Sequence, residues 1–228
     1  LDIKTVHVEK GEVSNVSLEP ATAEETANTV AVMGGEDWEF WIDALIGADL
    51  LAANAQTVAY TYIGSEITWP IYWEGTLGAA KADLDRASAA IRNKLAVVGG
   101  DARVAVLKAI VSQASAAIPV VPLYVALLFK VMKEQGSHEE CIEHIYRLFA
   151  TQLSTAPAHL DDNGRIRVDD LELSQAVQDA VKARWSVVTT DNLPELGDLA
   201  GFRQDFLKIF GFGIANVDYD ADVNPQSI

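Results

Sequence analysis

The stretch QTVAYTYIGS, residues 56–65, decides the fold class of this chain. It is rich in β-branched and aromatic residues and is bounded by turn-forming residues, a pattern that predicts a buried β-strand. A long segment rich in Ala, Lys, Arg and Asp, residues 79–95, predicts a helix that stops at Gly99 and Gly100. A second apolar, β-branched segment, ARVAVLKAIVSQAS, begins at Ala102 and predicts another strand. This alternation of strand, helix and strand predicts an α/β fold.

Further helices are predicted around these two strands. Thr22 and Glu25 have the spacing of a capping box, which predicts a helix that begins there and ends at Gly34. The next segment repeats apolar residues at helical spacing and predicts a second helix, whose apolar face consists of Trp38, Trp41, Ile42 and Leu45. Later helices are predicted at about 122–135, 138–152, 170–189 and 199–209. A turn is predicted at Asn163 and Gly164.

The number of strands suggests an incomplete sheet. Two clear strands are too few for a free-standing parallel sheet with both faces covered. We therefore expect the chain to be the second half of a larger α/β domain, with an added helical layer. The sequence starts at Leu1 without a methionine and shows no signal peptide, so we expect a longer parent protein or a processed product.

Composition and charge limit the classes of function. The 228 residues are 50% hydrophobic and 22% charged, which is typical of a globular protein of one large domain or two small ones. The net charge of −16 argues against nucleic-acid binding and against docking on anionic membranes. The longest apolar run, AAIPVVPLYVALLF, has 14 residues and contains Pro119 and Pro122, so it is too short to span a bilayer.

The single cysteine and the histidines do not indicate a disulfide or a metal site. Cys141 excludes an intrachain disulfide and suits a reducing compartment. Because it lies near Ile142 and Leu148 in the sequence, we expect a buried structural thiol. His138 and His144 are six residues apart, which is not the spacing of two metal ligands on one helical face.

The segment IYWEGTLGAAK, residues 71–81, is the most informative for chemistry. Tyr72 and Lys81 are nine residues apart, so on one continuous helix they would point to opposite faces, because nine residues turn through about 180°. Gly75 and Gly78 allow Tyr72 to lie outside the helix that carries Lys81. From the pattern alone, however, packed loop tyrosines at Tyr62 and Tyr72 and a surface lysine are the simpler interpretations.

Other segments are equally ambiguous in isolation. Ser112 either lines a ligand cleft beyond the second strand or only caps the next helix. No phosphate-binding motif of the type G-x-x-x-x-G-K-[S/T], and no G-x-G-x-x-G after a strand, occurs in the sequence.

Together, long stretches of the chain resemble the trans-2-enoyl-ACP/CoA reductases of the FabV and Ter type. The resemblance runs from about residue 16 to residue 225 and rests on SLEPAT, VAVMGGEDWEFWIDAL, IYWEGTLGAAKADLD, GGDARVAVLKAIVSQASAAIP, PLYVALLFKVMKEQG and FGFGIANVDYDADVNP. These motifs match only the C-terminal part of that family's longer chains. The resemblance implies the C-terminal half of an enlarged Rossmann-type reductase, related to the short-chain dehydrogenases.

The family's Tyr-x8-Lys signature falls on Tyr72 and Lys81. By resemblance, Tyr72 is the proton donor, Lys81 holds the nicotinamide ribose and Tyr62 contacts the substrate carbonyl. Relatives often have a second lysine directly after the first, whereas this chain has Ala82. Any role of that second lysine therefore falls to Lys81. An ammonium this close is expected to lower the pKa of the phenol of Tyr72.

The resemblance also implies the surroundings of the cofactor. Ile110, Val111 and Ser112 would lie against the nicotinamide end of NADH, and the apolar helix from Pro122 would form a wall of the acyl pocket. Because acyl carrier protein is acidic, docking would need a basic face, for which Arg86, Arg92, Lys94 and Arg103 are the candidates, or charge from the missing half.

The implied function is NADH-dependent reduction of the trans-2 double bond of enoyl-ACP or enoyl-CoA thioesters in fatty acid biosynthesis. Residues 1–228 would be the catalytic and substrate-binding C-terminal portion of a single NAD(P)-binding reductase domain whose N-terminal dinucleotide-binding half is absent. The fragment alone is expected to be inactive. We further expect a cytoplasmic monomer with acyl-ACP or acyl-CoA as substrate, without metal, nucleic acid or stable membrane insertion.

Two alternatives remain open from the sequence. The chain is a non-catalytic fragment or helical interaction module if no cofactor-binding half precedes it. A 3-oxoacyl reductase of the short-chain dehydrogenase type is disfavoured, because no Tyr-x3-Lys pair occurs near Tyr72.

Overall fold

The computed structural model describes residues 1–154, 158–222, 224 and 226. These residues form an α/β structure with a parallel sheet, which confirms the predicted fold class. The strands are β1 Asp2–His7, β2 Glu12–Ser17, β3 Gln56–Thr61, β4 Asp101–Val106 and β5 Ile166–Arg167. The helices are α1 Ala23–Met33, α2 Glu36–Gly47, α3 Trp69–Tyr72, α4 Thr76–Leu95, α5 Gln113–Ala117, α6 Val121–Glu134, α7 Cys141–Leu148, α8 Gln175–Val187, α9 Leu193–Leu196 and α10 Leu199–Lys208. None of the described helices is long and apolar enough to cross a membrane.

The parallel sheet has the strand order β3-β4-β5. β4 lies in the centre, pairs with β3 from Gln56↔Asp101 to Thr61↔Val106, and pairs with β5 at Ala105↔Ile166. The helix α4 connects β3 to β4 and packs across the sheet, with α1 and α2 against it. A short turn precedes β5, in which the Gly164 N–H donates to the Asp161 carbonyl at 2.8 Å. This confirms the turn predicted from the sequence.

The burial predicted for β3 is wrong. Its residues are half-buried or exposed, and Tyr60 is 49% exposed. The reason is its place at the edge of the sheet, since β4 is its one strand partner among the described residues. β4, which has neighbours on both sides, is the strand that the core covers.

The N-terminal hairpin of β1 and β2 and the two-residue strand β5 were not predicted. The hairpin turns at Gly11, which has a φ of +75° and donates its N–H to the His7 carbonyl at 2.8 Å. Ile3 and Val6 project from β1 into the main core, beside α6. The hairpin is therefore part of the helical layer and does not join the parallel sheet.

The added helical layer is organised around α6. Nearly all of its residues are buried, and it packs against α5, α8, α10 and β1. Its first part, residues 121–129, is apolar on all sides and therefore has to be enclosed, whereas Lys130 and Lys133 reach the surface in the second part. After α10, the described residues form turns and bends without a helix or strand, whereas residues 223, 225, 227 and 228 lie outside the described part.

The expectation of a buried Cys141 is wrong. The thiol is exposed at the first residue of α7. Ile142 beside it is 74% exposed, whereas Leu148 is buried. Leu148 follows Cys141 by about two helical turns and therefore lies on the same side of this short helix. Cys141 is exposed because it begins the helix, between the exposed residues Glu140 and Ile142.

Candidate active site

A cleft of about 280 Å³ opens at the carboxyl ends of β3 and β4. Ligands bind at this edge in open α/β sheets. Tyr62 follows β3 directly, and the segment after β4 contributes Ile110 and Ser112. Tyr72 and Lys81 come from the connection between the strands. The structure thus brings the predicted tyrosines and the lysine into one cavity.

The position of Tyr72 depends on a tight connection between strand and helix. The Thr68 hydroxyl accepts from the Ser65 N–H at 3.1 Å and donates to the Ser65 carbonyl at 3.0 Å, which fixes the turn before α3. Tyr72 ends the single turn of α3 and is 9% exposed. The backbone of Gly78 in α4 then packs so closely on Trp73 that a Cβ at residue 78 would overlap the Trp73 carbonyl oxygen. This contact holds the end of α3 against the start of α4.

Lys81 lies in the second turn of α4, after the N-cap Gly75. Its Nζ donates to the Thr61 Oγ1 at 3.0 Å and lies 5.5 Å from the centre of the Tyr72 ring. Burial lowers the pKa of Lys81 to about 8, although Asp85 opposes this shift. An ammonium has three N–H groups, and Thr61 is its one hydrogen-bond acceptor among the described residues. Two N–H groups therefore remain for a ligand.

The two tyrosines of the cleft are in direct contact. The rings of Tyr62 and Tyr72 meet edge to face, with their centres 4.8 Å apart. Burial and, to a lesser extent, the carboxylate of Glu172 together raise the pKa of Tyr72 to about 12. The expectation that Lys81 lowers the pKa of this phenol is wrong here, because the loss of hydration and the nearby negative charge dominate.

The sequence reasoning missed Glu172. This residue is fully buried, and its Oε1 accepts hydrogen bonds from the hydroxyls of Tyr62 at 2.9 Å and Tyr124 at 2.8 Å. Its Oε2 accepts from the Ala109 N–H at 2.5 Å. Burial raises the pKa of Glu172, and these three hydrogen bonds oppose the rise. The sequence signal that could have found it is its place between two leucines, in the turn before α8. An acidic residue inside an apolar pattern is expected to be buried and therefore to need buried hydrogen-bond donors.

The segment after β4 divides between two cavities. Ile110 and Ser112 line the cleft, and the Ser112 hydroxyl also caps α5 by accepting from the Ser115 N–H at 3.1 Å. Both sequence interpretations of Ser112 therefore apply. Val111 instead lines a second cavity of about 280 Å³, which Ile110 also borders. Of the helix α6, only Val121 reaches the cleft; Pro122 is buried in the core.

A cluster of charged side chains lies beside the second cavity. His144 is fully buried, and its Nε2 accepts from the Lys108 backbone N–H at 3.2 Å, so its hydrogen is on Nδ1. Nδ1 is 3.0 Å from Glu139, which also accepts from Arg147 at 2.7 Å. Arg147 also donates a hydrogen bond from Nη1 to Oδ1 of Asp170 at 2.8 Å. No group of three potential metal-ligating residues occurs in the part of the chain that the structure describes.

Comparisons with known proteins identify the fold. The family model described as the trans-2-enoyl-CoA reductase catalytic region matches residues 1–154. The chain belongs to the trans-2-enoyl-CoA reductase family. A crystal structure of the trans-2-enoyl-CoA reductase of Clostridium acetobutulicum in complex with NADH aligns with a TM-score of 0.94 and 44% identity, over 98% of this chain and 57% of that one. The enzyme of Treponema denticola in complex with NAD aligns with a TM-score of 0.91 and 47% identity, over 98% of this chain and 56% of that one.

Bacterial relatives in sequence carry a related name. Enoyl-acyl-carrier-protein reductase (NADH) of Paraburkholderia xenovorans is 56% identical over 226 residues, which are 99% of this chain and 57% of the relative. The protein of the same name from Tolumonas auensis is 58% identical over 221 residues, 97% of this chain and 56% of the relative. The chain thus spans little more than half the length of these relatives and corresponds to their C-terminal part.

A second family model, described as the enoyl reductase FAD binding domain, matches residues 160–223. The described residues of this segment do not fit the pyrophosphate of FAD. They contain no glycine-rich turn between a strand and a helix. Where they border the second cavity, the charge of Lys208 is compensated by ion pairs with Asp205 and Glu140.

Proposed function

We propose that residues 1–228 are the catalytic and substrate-binding C-terminal portion of a single reductase domain, which uses NADH to reduce the trans-2 double bond of enoyl thioesters in fatty acid biosynthesis. The observation that supports this most is the meeting of Tyr72 and Lys81 in the cleft at the carboxyl ends of β3 and β4. The relatives named as NADH-dependent enoyl reductases support the same activity.

The cleft fits the nicotinamide and ribose end of NADH. Lys81 has two N–H groups free for ribose hydroxyls, and Ile110 offers an apolar surface to a flat ring. Ser112 adds a hydroxyl at the same edge, whereas Val111 lines the second cavity. NADH, when bound, supplies the hydride that reduces the double bond.

Tyr72 is proposed as the proton donor. Reduction of an enoyl thioester builds negative charge on the thioester oxygen, which a neutral phenol can stabilise and protonate. Because the pKa of Tyr72 is raised to about 12, the phenol is protonated at neutral pH. Lys81 carries a positive charge below its pKa of about 8 and lies over the same ring. In this proposal Tyr62 contacts the substrate carbonyl with the part of its side chain that faces the cleft.

The carrier of the acyl group depends on charge outside this cleft. The basic face suggested by the sequence is neutralised, because Arg86 pairs with Glu39 and Asp83, Arg92 and Arg103 pair with Asp101, and Lys94 pairs with Asp43. These side chains therefore do not form a free docking surface for an acidic carrier protein. We propose acyl-ACP or acyl-CoA as substrate, bound by a cytoplasmic monomer without nucleic acid.

The test uses the full-length form, meaning a protein that carries these 228 residues together with the N-terminal part that the relatives have. NADH oxidation is followed with crotonyl-CoA, an enoyl-ACP and a 3-oxoacyl thioester side by side. We expect turnover of the enoyl substrates. Turnover of the 3-oxoacyl thioester alone would favour a keto reductase, and no turnover of any would favour an interaction module.

The 228 residues alone provide a control. We expect neither tight NADH binding nor turnover, because β3 and β4 lack the glycine-rich turn and helix N-terminus that hold a pyrophosphate. Micromolar NADH binding to this piece in a calorimeter would contradict that expectation.

A further inference from the structure

Glu172 is a buried carboxyl group whose hydrogen-bond donors are all neutral, while the nearby charge of Lys108 favours its ionised form. It is fully buried, and no lysine or arginine lies within ion-pair distance among the described residues. Its three hydrogen bonds come from neutral donors: the hydroxyls of Tyr62 and Tyr124 and the N–H of Ala109. Gln178 donates in turn to the Tyr124 oxygen at 3.1 Å, which leaves the hydrogen of Tyr124 for Glu172.

This arrangement fixes the hydrogen of Tyr62. A phenol has one O–H, and an ionised carboxylate can only accept. Tyr62 therefore donates to Glu172 and has no hydrogen left for a ligand in the cleft. The hydroxyl of Tyr72 has no hydrogen-bond partner in the part of the chain that the structure describes. Two phenols in edge-to-face contact thus differ in what they can donate.

We propose that Glu172 is a positioning residue, which turns the hydroxyl hydrogen of Tyr62 away from the cleft and so reserves proton donation for Tyr72. The inference rests on the proposed reduction of enoyl thioesters. It explains why a second tyrosine at the reacting centre does not compete with the first, since Tyr62 lines the cleft but has its one hydroxyl hydrogen bound to Glu172.

The substitution Glu172→Gln reverses the hydrogen bonds. The Ala109 N–H needs an acceptor, so the amide oxygen must face it and the NH₂ group must face the two hydroxyls. Tyr62 then accepts, and its own O–H becomes free to point into the cleft. In the full-length form with Tyr72→Phe, whose kcat we expect to be about 10²-fold reduced, adding Glu172→Gln should raise kcat by about tenfold.

The matched control is Tyr124→Phe in the same Tyr72→Phe background. This change removes one donor from the same carboxyl oxygen but leaves Tyr62 donating to it, so kcat should not recover. Recovery with Glu172→Gln alone supports the proposal. A folded Glu172→Gln variant, checked by its melting temperature, without recovery overturns it.

Tyr62→Phe decides the case if Glu172→Gln does not fold. Because Tyr62 contacts substrate but is not the proton donor in the proposal, Tyr62→Phe should act mainly by raising KM for the enoyl thioester, whereas a loss of about 10²-fold in kcat, as for Tyr72→Phe, would overturn the proposal.

A measurement without substrate separates this proposal from the proposed function. Tyrosine is labelled with ¹³C at the ring carbon that bears the oxygen, and the resonance of Tyr62 is assigned with Tyr62→Phe. Glu172→Gln should move this resonance and Tyr124→Phe should leave it nearly unchanged. An unmoved resonance overturns the role of Glu172, even in an active enzyme. An unmodified protein without enoyl turnover contradicts the proposed function and leaves the resonance test valid.

Discussion

The cleft of Tyr72 and Lys81 and the cluster of Glu139, His144 and Arg147 lie beside the same end of β4, yet they differ in how their polar atoms are used. In the cleft, the Tyr72 hydroxyl has no partner among the described residues, and Lys81 donates only to Thr61 there. In the cluster, Glu139 accepts from both His144 and Arg147. The cleft retains hydrogen-bonding capacity for a ligand, whereas the cluster uses its capacity within the protein.

This difference separates function from stability. Groups without protein partners can bind or react with little effect on folding when they are changed, and groups that pair inside the protein stabilise it. Both regions contain buried charge and perturbed pKa values, so a shifted pKa alone does not mark an active site. The free N–H and O–H groups mark it better.

The largest effect is expected from Tyr72→Phe in the full-length form. In the proposed function, the change removes the hydroxyl that donates to substrate, so kcat should fall by about 10²-fold while the melting temperature stays the same. Tyr146→Phe is the matched control, because Tyr146 is 73% exposed on α7 and should have no effect on either quantity. An undiminished rate for Tyr72→Phe would rule out its role as proton donor.

Arg147→Ala should lower stability and leave turnover nearly unchanged, the reverse of what is expected for Tyr72→Phe. It removes the ion pairs with Glu139 and Asp170 and leaves a partly buried carboxylate without them, so the free energy of unfolding should fall by about 2 kcal/mol. Turnover below the unfolding transition should stay within about twofold. Arg86→Ala is the control: its side chain is 53% exposed, and the loss should be below about 1 kcal/mol in urea titrations.

The effect of Arg147→Ala should depend on pH. Burial alone would raise the pKa of Glu139, but the hydrogen bonds from Arg147 and His144 outweigh it, and the pKa is lowered from the ordinary value of 4.5. A lowered carboxyl pKa stabilises the fold above the ordinary value, and this stabilisation is lost as pH falls through the lowered value. The difference between the two proteins should therefore shrink below about pH 4.5. A constant difference down to acid unfolding would show that the charge of Glu139 does not contribute.

Lys81→Met should have the smallest of these effects, on the affinity for NADH. The change keeps the chain length but removes the N–H donors, so the Kd measured by calorimetry should rise by about tenfold. With a pKa of about 8, Lys81 is charged at neutral pH and loses its proton as pH rises, and Asp85 and Tyr72 are the titratable groups that face it. Affinity of the unmodified protein should weaken through about pH 8, and that of Lys81→Met should not. Lys130→Met, on the partly exposed side of α6, is the control.

Lys81 should also make the stability of the protein depend on pH, but stability should rise with pH where the affinity for NADH falls. Its pKa in the folded protein is below the ordinary value of 10.5, so the unfolded chain binds more protons between about pH 8 and 10.5. The free energy of unfolding should rise with pH through that window, and Lys81→Met should abolish this rise. A flat profile in the unmodified protein would contradict the burial of the charge.

Elements with strong local signals could be predicted from the sequence. Thr22 and Glu25 form the expected reciprocal hydrogen bonds of a capping box, and α4 ends close to Gly99 as expected. The strand β5 could not be predicted, because two residues carry no periodicity and their pairing with β4 depends on a fold that brings distant segments together. The burial of β3 was overestimated because composition does not show whether a strand lies at an edge.

The residues of the candidate site also differ in whether the sequence could predict them. The places of Tyr62, Tyr72 and Lys81 followed from the resemblance, since their spacing alone favoured packing and surface positions. Glu172 is far from them in the sequence, and only the folded chain brings it under Tyr62. Val111 lines the second cavity and not the cleft, whereas its neighbour Ile110 borders both, a division that the sequence alone does not indicate.

The packing of Gly78 against Trp73 sets a strict length for the connection between the two reactive side chains. α3 and α4 meet there without space for a methyl group, so the connection is a rigid corner rather than a flexible loop. One residue inserted into α4 before Lys81 would rotate its side chain by about 100° around the helix axis, and two would turn it to the far side. Insertions and deletions between Tyr72 and Lys81 therefore cannot be tolerated, and substitutions can be tolerated only where they keep the close packing at Gly78. Both the number of residues in this segment and this glycine are what inheritance has to preserve.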